Sequence, residues 1–177
     1  KLALFDLDGT LLPGDSDHAF GEFLVHLGWA DGTEFARRND GYYADYQHGR
    51  LDIADYIHFI TEPWRVRPLA EAEAASRRFI AEIIRPMLQP AALDLIERHR
   101  RAGERLAIVT ATNDFVTRPI AELLGVSDLI ATELERDAGG LATGAIRGVP
   151  AFREGKVERV QSWLAGLGAS LEGCEKS

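Results

Sequence analysis

Asp6 and Asp8 stand two residues apart in the stretch Lys1–Pro13 (K-L-A-L-F-D-L-D-G-T-L-L-P), directly behind the apolar run Leu2–Phe5. Two carboxylates at this spacing repel each other, and keeping both ionised requires a shared proton or a cation between them. A hard divalent ion such as Mg2+, which prefers oxygen ligands, is the natural partner. Two plainer readings compete with this. Asp and Gly are ordinary turn residues, so D-L-D-G could be a polar turn and nothing more. Asp-x-Asp with a nearby Gly also opens a calcium-binding loop. Here, however, Gly9 falls at the fourth loop position instead of the sixth, Leu11, Leu12 and Pro13 occupy positions that need oxygen ligands, and Asp17 stands at the twelfth where Glu is expected.

Two further residues have the right chemistry in the right setting. Thr110 follows a second apolar run, Leu106–Val109, and leads into Ala111-Thr112-Asn113. A hydroxyl at that point, followed by a segment from Ala111 whose backbone N–H groups can open a helix, is suited to bind a phosphoryl oxygen. Thr is also a normal strand residue, so on its own this signal is weak. Lys156 follows Gly155 as the first side chain of a helical pattern with Val157, Val160, Leu164 and Leu167 on one face. A lysine at a helix start is at the unfavourable end of the dipole for a cation, and this misfit favours a functional lysine over a solvated one.

The elements that must position these groups can be read from periodicity. Short, wholly apolar runs fit strands buried on both faces of a parallel sheet, and in such sheets ligands bind beyond the carboxyl ends of the strands. Asp6, Asp8 and Thr110 all fall there. Between Pro13-Gly14 and Pro86–Pro90 only helical periods appear. Asp15-Ser16-Asp17 can cap a helix carrying Phe20, Phe23, Leu24 and Leu27 and ending at Gly28. Thr33 can cap a second that runs to Gly49. Asp52 can cap a third bearing Ile53, Tyr56, Ile57 and Ile60, with Pro63 as its stop, and a fourth with Ala72, Ala75, Phe79 and Ile83 is closed by Pro86. Four short amphipathic helices inserted between two strands must bury their stripes against one another, which predicts a small bundle. After Pro90 the α/β pattern resumes with a helix over Ala91–Arg101, the strand Leu106–Val109, and a helix kinked or delayed by Pro119. A strand over Asp128–Thr132 and a hairpin around Asp137-Ala138-Gly139-Gly140 follow. The fold class is α/β: a Rossmann-like parallel-sheet core formed by residues 1–13 and 87–177, with a small helical cap domain, residues 14–86, inserted into it.

With 46% hydrophobic residues among 177, the chain can build one substantial core and a smaller appended unit. A net charge of −8 argues against nucleic-acid or anionic-membrane binding. The single cysteine, Cys174, excludes an internal disulfide framework, and no apolar run approaches membrane-spanning length; the reading is cytoplasmic. The aromatic residues Tyr42, Tyr43, Tyr46 and Trp64 are read as packing more than as a substrate cage. His18, His26, His48 and His58 show no metal-ligand spacing and are read as structural.

L-F-D-L-D-G-T-L, with Thr110 after the second core strand and Gly155-Lys156 at a later helix start, resembles the three successive motifs of the haloacid dehalogenase superfamily. The helical insert after the first motif is similar to that of its phosphoserine-phosphatase-like branch. The resemblance implies a Mg2+-dependent phosphatase acting on a small phosphorylated metabolite. It makes Asp6 the nucleophile and a metal ligand, Asp8 the acid/base and a ligand through its backbone carbonyl, and Thr110, Ala111 and Lys156 the phosphate-binding groups. Asp15 matches the acid that takes a substrate ammonium in that branch, whereas the position of the carboxylate-binding arginine falls on Ile60. The expected substrate therefore lacks that carboxylate and is a phosphorylated amine or amino alcohol held by Asp15. A phosphotransferase using the same aspartyl-phosphate, or a non-catalytic member whose cap binds a partner, remain alternatives. The fourth motif of the family, an acidic cluster, is not found. Glu172 and Glu175 are poor substitutes, so a further acidic ligand is expected beyond Ser177, and with it a continuation of the natural protein.

Overall fold

The computed structural model describes residues 1–171. A parallel sheet of three strands forms its centre: β1 (Leu2–Phe5), β2 (Arg105–Asn113) and β3 (Asp128–Thr132), in the order β1-β2-β3. The register pairs Leu2 with Arg105 and Phe5 with Ile108, so Asp6 and Thr110 emerge at the same edge of the sheet. β2 is longer than its apolar run. It continues through Thr110-Ala111-Thr112 to Asn113, with a register irregularity against β3 between Val109 and Asn113. Such an irregularity re-aims side chains at the end of a strand.

Between β1 and β2 lie α1 (Ser16–His26), α2 (Gly32–Gln47), α3 (Ile53–Arg65) and α4 (Leu69–Phe79), then a π turn (Ile80–Ile84), α5 (Arg85–Met87) and α6 (Pro90–Arg101). Carboxylates start the first three. The side chains of Asp15, Asp31 and Asp52 accept hydrogen bonds from backbone N–H groups that have no partner within the helix. Asp31, not Thr33, caps α2. Pro63 does not stop its helix as the sequence reading expected, whereas the fourth helix closes one residue after Pro86. Pro63 lies inside α3, where it and Trp64 are buried, so packing holds the last turn together. The fourth helix continues through the π turn to Pro86 and ends at Met87. A wider turn ahead of a proline relieves the clash between its ring and the preceding turn.

α7 (Asp114–Leu123) follows β2 directly, capped by the Asn113 side chain, and runs through Pro119 without a delayed start. After β3 come the antiparallel strands β4 (Leu134–Arg136) and β5 (Ala142–Ile146), then α8 (Glu154–Gly166). On α8 only Val160 and Leu164 of the expected apolar face are buried; Val157 and Leu167 are exposed. The helices between β1 and β2 share one hydrophobic core with the sheet side: Trp64 stacks on Phe115 of α7 at 4.0 Å between ring centroids and an interplanar angle of 12°, and Phe20 meets both Phe79 and Phe115. β5 packs on α3, and Gly144 takes a positive φ of 92° beside the Arg65 guanidinium, a conformation that favours glycine. Among the described residues no helix is long and apolar enough to cross a membrane.

Candidate active site

A single cavity gathers most of the residues singled out for chemistry. Asp6, Asp8, Asp15, Thr110, Ala111 and Lys156 all line it. Asp6 sits just past β1 with its side chain 49% exposed. Its Oδ1 accepts the backbone N–H of Leu7 at 3.0 Å and the Lys156 ammonium, also at 3.0 Å. Both donors end on one oxygen, which leaves the other available to a reacting atom or a cation.

Lys156 is the third residue of α8 rather than its first, behind Glu154 and Gly155. The tight entry explains Gly155, since a Cβ there would lie 2.1 Å from the Pro150 carbonyl oxygen. Arg153 precedes the helix at φ 50°, which is unusual for a residue with a side chain. Its guanidinium lies over the Phe152 ring and hydrogen-bonds the Gly49 carbonyl, tying this loop to the turn between α2 and α3. The Asp6 carboxylate compensates the placement of Lys156 at the positive end of the helix.

Asp8 is held quite differently. Its Oδ1 accepts the Ser16 N–H at 2.7 Å and the Ser16 hydroxyl at 2.6 Å, and its Oδ2 accepts the Thr112 hydroxyl at 2.9 Å and the Thr110 hydroxyl at 3.2 Å. Four donors use up the lone-pair directions of a carboxylate. The Thr110 hydroxyl also receives the Thr112 N–H at 3.1 Å. Ser16 and Thr112 are functional neighbours that sequence reasoning missed. Thr112 could have been found from its spacing of two from Thr110, since alternate residues of a strand share a face. Ser16 was read only as part of a helix start.

The rest of the cavity wall belongs to the helices and the loop before α8. Asp17, His18, Tyr42, Tyr43, Tyr46, Leu51, Ile53, Tyr56 and Phe152 line it together with Thr112. Three tyrosines expected to serve packing therefore face the cavity, as does His18, whose ring stacks on Tyr43 at 5.0 Å. Tyr42 also packs on Phe59, and Trp64 is core. All three tyrosines sit on α2, and helical spacing alone does not say which side of a bundle opens. Ile60 is fully buried and is not part of the wall.

Asp15 spends Oδ1 on the Asp17 and His18 N–H groups of α1, at 3.0 and 2.9 Å. Burial, followed by the charge of Asp8, raises its pKa above the ordinary carboxylate value. Asp17 is only 4% exposed. Its Oδ1 accepts the Asn113 amide at 3.0 Å, and the Tyr56 hydroxyl interacts with the same carboxyl group. Burial, then the charges of Asp15 and Asp8, push the Asp17 carboxyl well above its usual range; burial and the charge of Asp17 do the same to the Tyr56 phenol. Among the described residues Lys156 is the only lysine or arginine on the cavity, and it pairs with Asp6.

No group of three metal-ligating side chains forms among the described residues. The donors present suit a hard cation nonetheless. Asp6 keeps an oxygen free, and Mg2+ is commonly held by one or two carboxylates with water and substrate phosphate completing its shell. Glu172 and Glu175 lie outside the described residues.

Comparison with known proteins shows the family. Residues 3–174 match the family model for haloacid dehalogenase-like hydrolases. A histidinol-phosphatase of Neisseria meningitidis serogroup C (strain 8013) is 37% identical over 177 residues, covering all of this chain and 80% of the relative. The crystal structure of a protein of unknown function from Bordetella pertussis Tohama I superposes with a TM-score of 0.89 at 46% identity, over 97% of this chain and 77% of that one. A substrate-bound phosphoserine phosphatase shares the fold, with a TM-score of 0.67 at 20% identity over 97% of this chain and 74% of that one. Motifs, sheet topology and family match together place this chain in the haloacid dehalogenase-like hydrolase family.

Proposed function

We propose that this enzyme is a Mg2+-dependent phosphomonoesterase that forms an aspartyl-phosphate on Asp6, with residues 14–86 serving as a cap over the site. The observation that carries the reading is the contrast between two neighbouring carboxylates: Asp6 is half exposed with a free oxygen beside Lys156, and Asp8 is clamped by four donors. The first is dressed as a nucleophile, the second as a proton carrier.

A free Asp6 oxygen attacks phosphorus while the bond from phosphorus to the substrate oxygen breaks, and that oxygen takes a proton from Asp8. A water molecule then attacks the phosphorus of the aspartyl ester and gives its proton to Asp8, and the bond to Asp6 breaks to release inorganic phosphate. Three of the four donors to Asp8 are hydroxyls, which can turn to accept as well as donate, so Asp8 can gain and lose a proton without losing its anchorage. Lys156 neutralises charge on Asp6 and on the phosphoryl oxygens. The Asp6 carboxylate and the Asp8 backbone carbonyl would hold the metal, since the Asp8 carboxyl group is engaged by its four hydrogen-bond donors. Mg2+, when bound, supplies charge neutralisation for the transferred phosphoryl group. Ala111 and Thr110 line the phosphate end.

The substrate we propose is the phosphate ester of an amino alcohol without a carboxylate. An α-carboxylate calls for an arginine or a comparable donor pair. None lines the cavity among the described residues, and Ile60 stands buried at the corresponding position. The relative named histidinol-phosphatase supports the same class, because histidinol phosphate carries an amine and an imidazole but no carboxylate. Release of inorganic phosphate from p-nitrophenyl phosphate, histidinol phosphate and phosphoserine, with Mg2+ and with chelator, tests both parts. Expected are Mg2+-dependent turnover and a kcat/KM for histidinol phosphate at least about tenfold above that for phosphoserine, the margin of one lost polar contact. Metal-independent turnover would overturn the mechanism, and preference for phosphoserine would overturn the substrate class.

A further inference from the structure

Asp17 is a buried acid with an unmet electrostatic need. It lies under the aromatic wall of the cavity, its neighbours Asp15 and Asp8 are acids, and no lysine or arginine on the cavity wall answers it among the described residues. Neutral hydrogen bonds from Asn113 and Tyr56 orient the carboxyl group without supplying charge. Removing a carboxylate from water is costly unless a counter-charge is present. Asp15 has a structural duty of its own, because one of its oxygens caps the first turn of α1. Tyrosine faces beside an acid also suit a cation, through attraction to the ring.

We propose that Asp17, oriented by Asn113 and Tyr56, is the receptor for the cationic group of the substrate's alcohol half, and that Asp15 contributes field more than contact. This rests on the phosphatase reading above and assigns within it the residue that selects the leaving group. The phosphoryl end then discriminates little between esters, and selection arises at the helical wall. Asn113 has a double duty: its Oδ1 caps α7 at Val116 and its Nδ2 holds Asp17, so the receptor is fixed to the same residue that ends β2. A receptor locked in this way loses little conformational freedom on binding.

The test is the ratio of kcat/KM for histidinol phosphate to kcat/KM for p-nitrophenyl phosphate in Asp17→Asn, which keeps volume and the Asn113 contact while removing the charge. The ratio is expected to fall about 100-fold, as for the loss of one partner of a buried charge pair. The thermal shift that histidinol gives the wild-type enzyme should vanish in the variant. A ratio within about threefold of wild type, or an equal loss on both substrates, overturns the proposal and leaves the phosphatase reading standing. Absence of turnover by the wild-type enzyme on either ester overturns that reading and the proposal with it. Should Asp17→Asn not fold, Tyr56→Phe reads the same ratio, and an unchanged ratio there counts against the proposal equally.

Discussion

At the strand end of the cavity each carboxylate is answered: Asp6 by Lys156, Asp8 by four donors from Ser16, Thr110 and Thr112. At the helical end Asp15 serves the start of α1, and Asp17 has an amide and a phenol, while Lys156, the cavity's lysine or arginine among the described residues, pairs with Asp6. Four acids therefore face one space, and only one end carries its own compensation. The difference teaches where a ligand's two charges belong. A dianionic phosphoryl group fits beside Lys156, and a cationic tail fits against the uncompensated acids.

The comparison breaks most visibly at Asp6. Asp6→Asn is expected to lower phosphate release by roughly 10⁴-fold or more, as for removal of other covalent nucleophiles. The unfolding transition should stay within about 0.5 kcal/mol, because the side chain is half exposed. Residual Mg2+-dependent turnover above that level would show that a different atom attacks phosphorus.

A smaller effect sharpens the strand end. Thr112→Val removes one of the hydroxyls that hold Asp8 and keeps the shape of the side chain. The expected outcome is about a tenfold loss in kcat with KM little changed, since in the proposed mechanism Asp8 moves a proton in the transition state and does not bind the ground state. A rise in KM at constant kcat would instead assign Thr112 to phosphate binding.

The smallest effect belongs to the helical end and appears in stability. The folded state raises the pKa of Asp17 above the 3.8 of an unperturbed carboxyl. The native protein thus holds this proton more tightly than the unfolded chain, and its stability falls as pH rises through the unfolded value, until the raised folded value is passed. Asp17→Asn escapes that loss. In metal-free buffer the melting temperature of the variant should exceed that of wild type by about 3 °C at pH 7, equivalent to roughly 1 kcal/mol for a chain of this size, and by less near pH 4. Calorimetry across pH 4 to 7 checks this, and a gain independent of pH would remove the electrostatic cause.

Much of the chemistry was legible in one dimension because it depends on local order. An apolar strand followed by Asp-x-Asp-Gly fixes two acids at a sheet edge without knowledge of any partner, and a second apolar run followed by Thr110 meets them because parallel strands share their carboxyl ends. Lys156 was found through its misfit at a helix start, although it proved to be the third helical residue. Helix starts at Asp15 and Asp52 were equally local, since a capping side chain reaches only two or three residues along the chain.

Other features depended on packing between distant segments. Pro63 was read as a stop because propensity penalises it, yet its burial with Trp64 carries α3 past that position; the π turn that leads into Pro86 was equally invisible, although the helix closes there at Met87. The donors Ser16 and Thr112 come to Asp8 from 8 and 104 residues away, so their shared target is invisible until the chain is folded. Which tyrosines line the cavity was likewise undecided, because an amphipathic period marks a face but not what that face meets. The sequence by itself determined the strand end of the site: strand and acids follow from short-range rules, and Thr110 and Lys156 from those rules together with the family resemblance. Only the tertiary structure decided the other wall, where burial of Asp17 between Asn113 and Tyr56 turns a helix-start residue into an uncompensated charge facing the site.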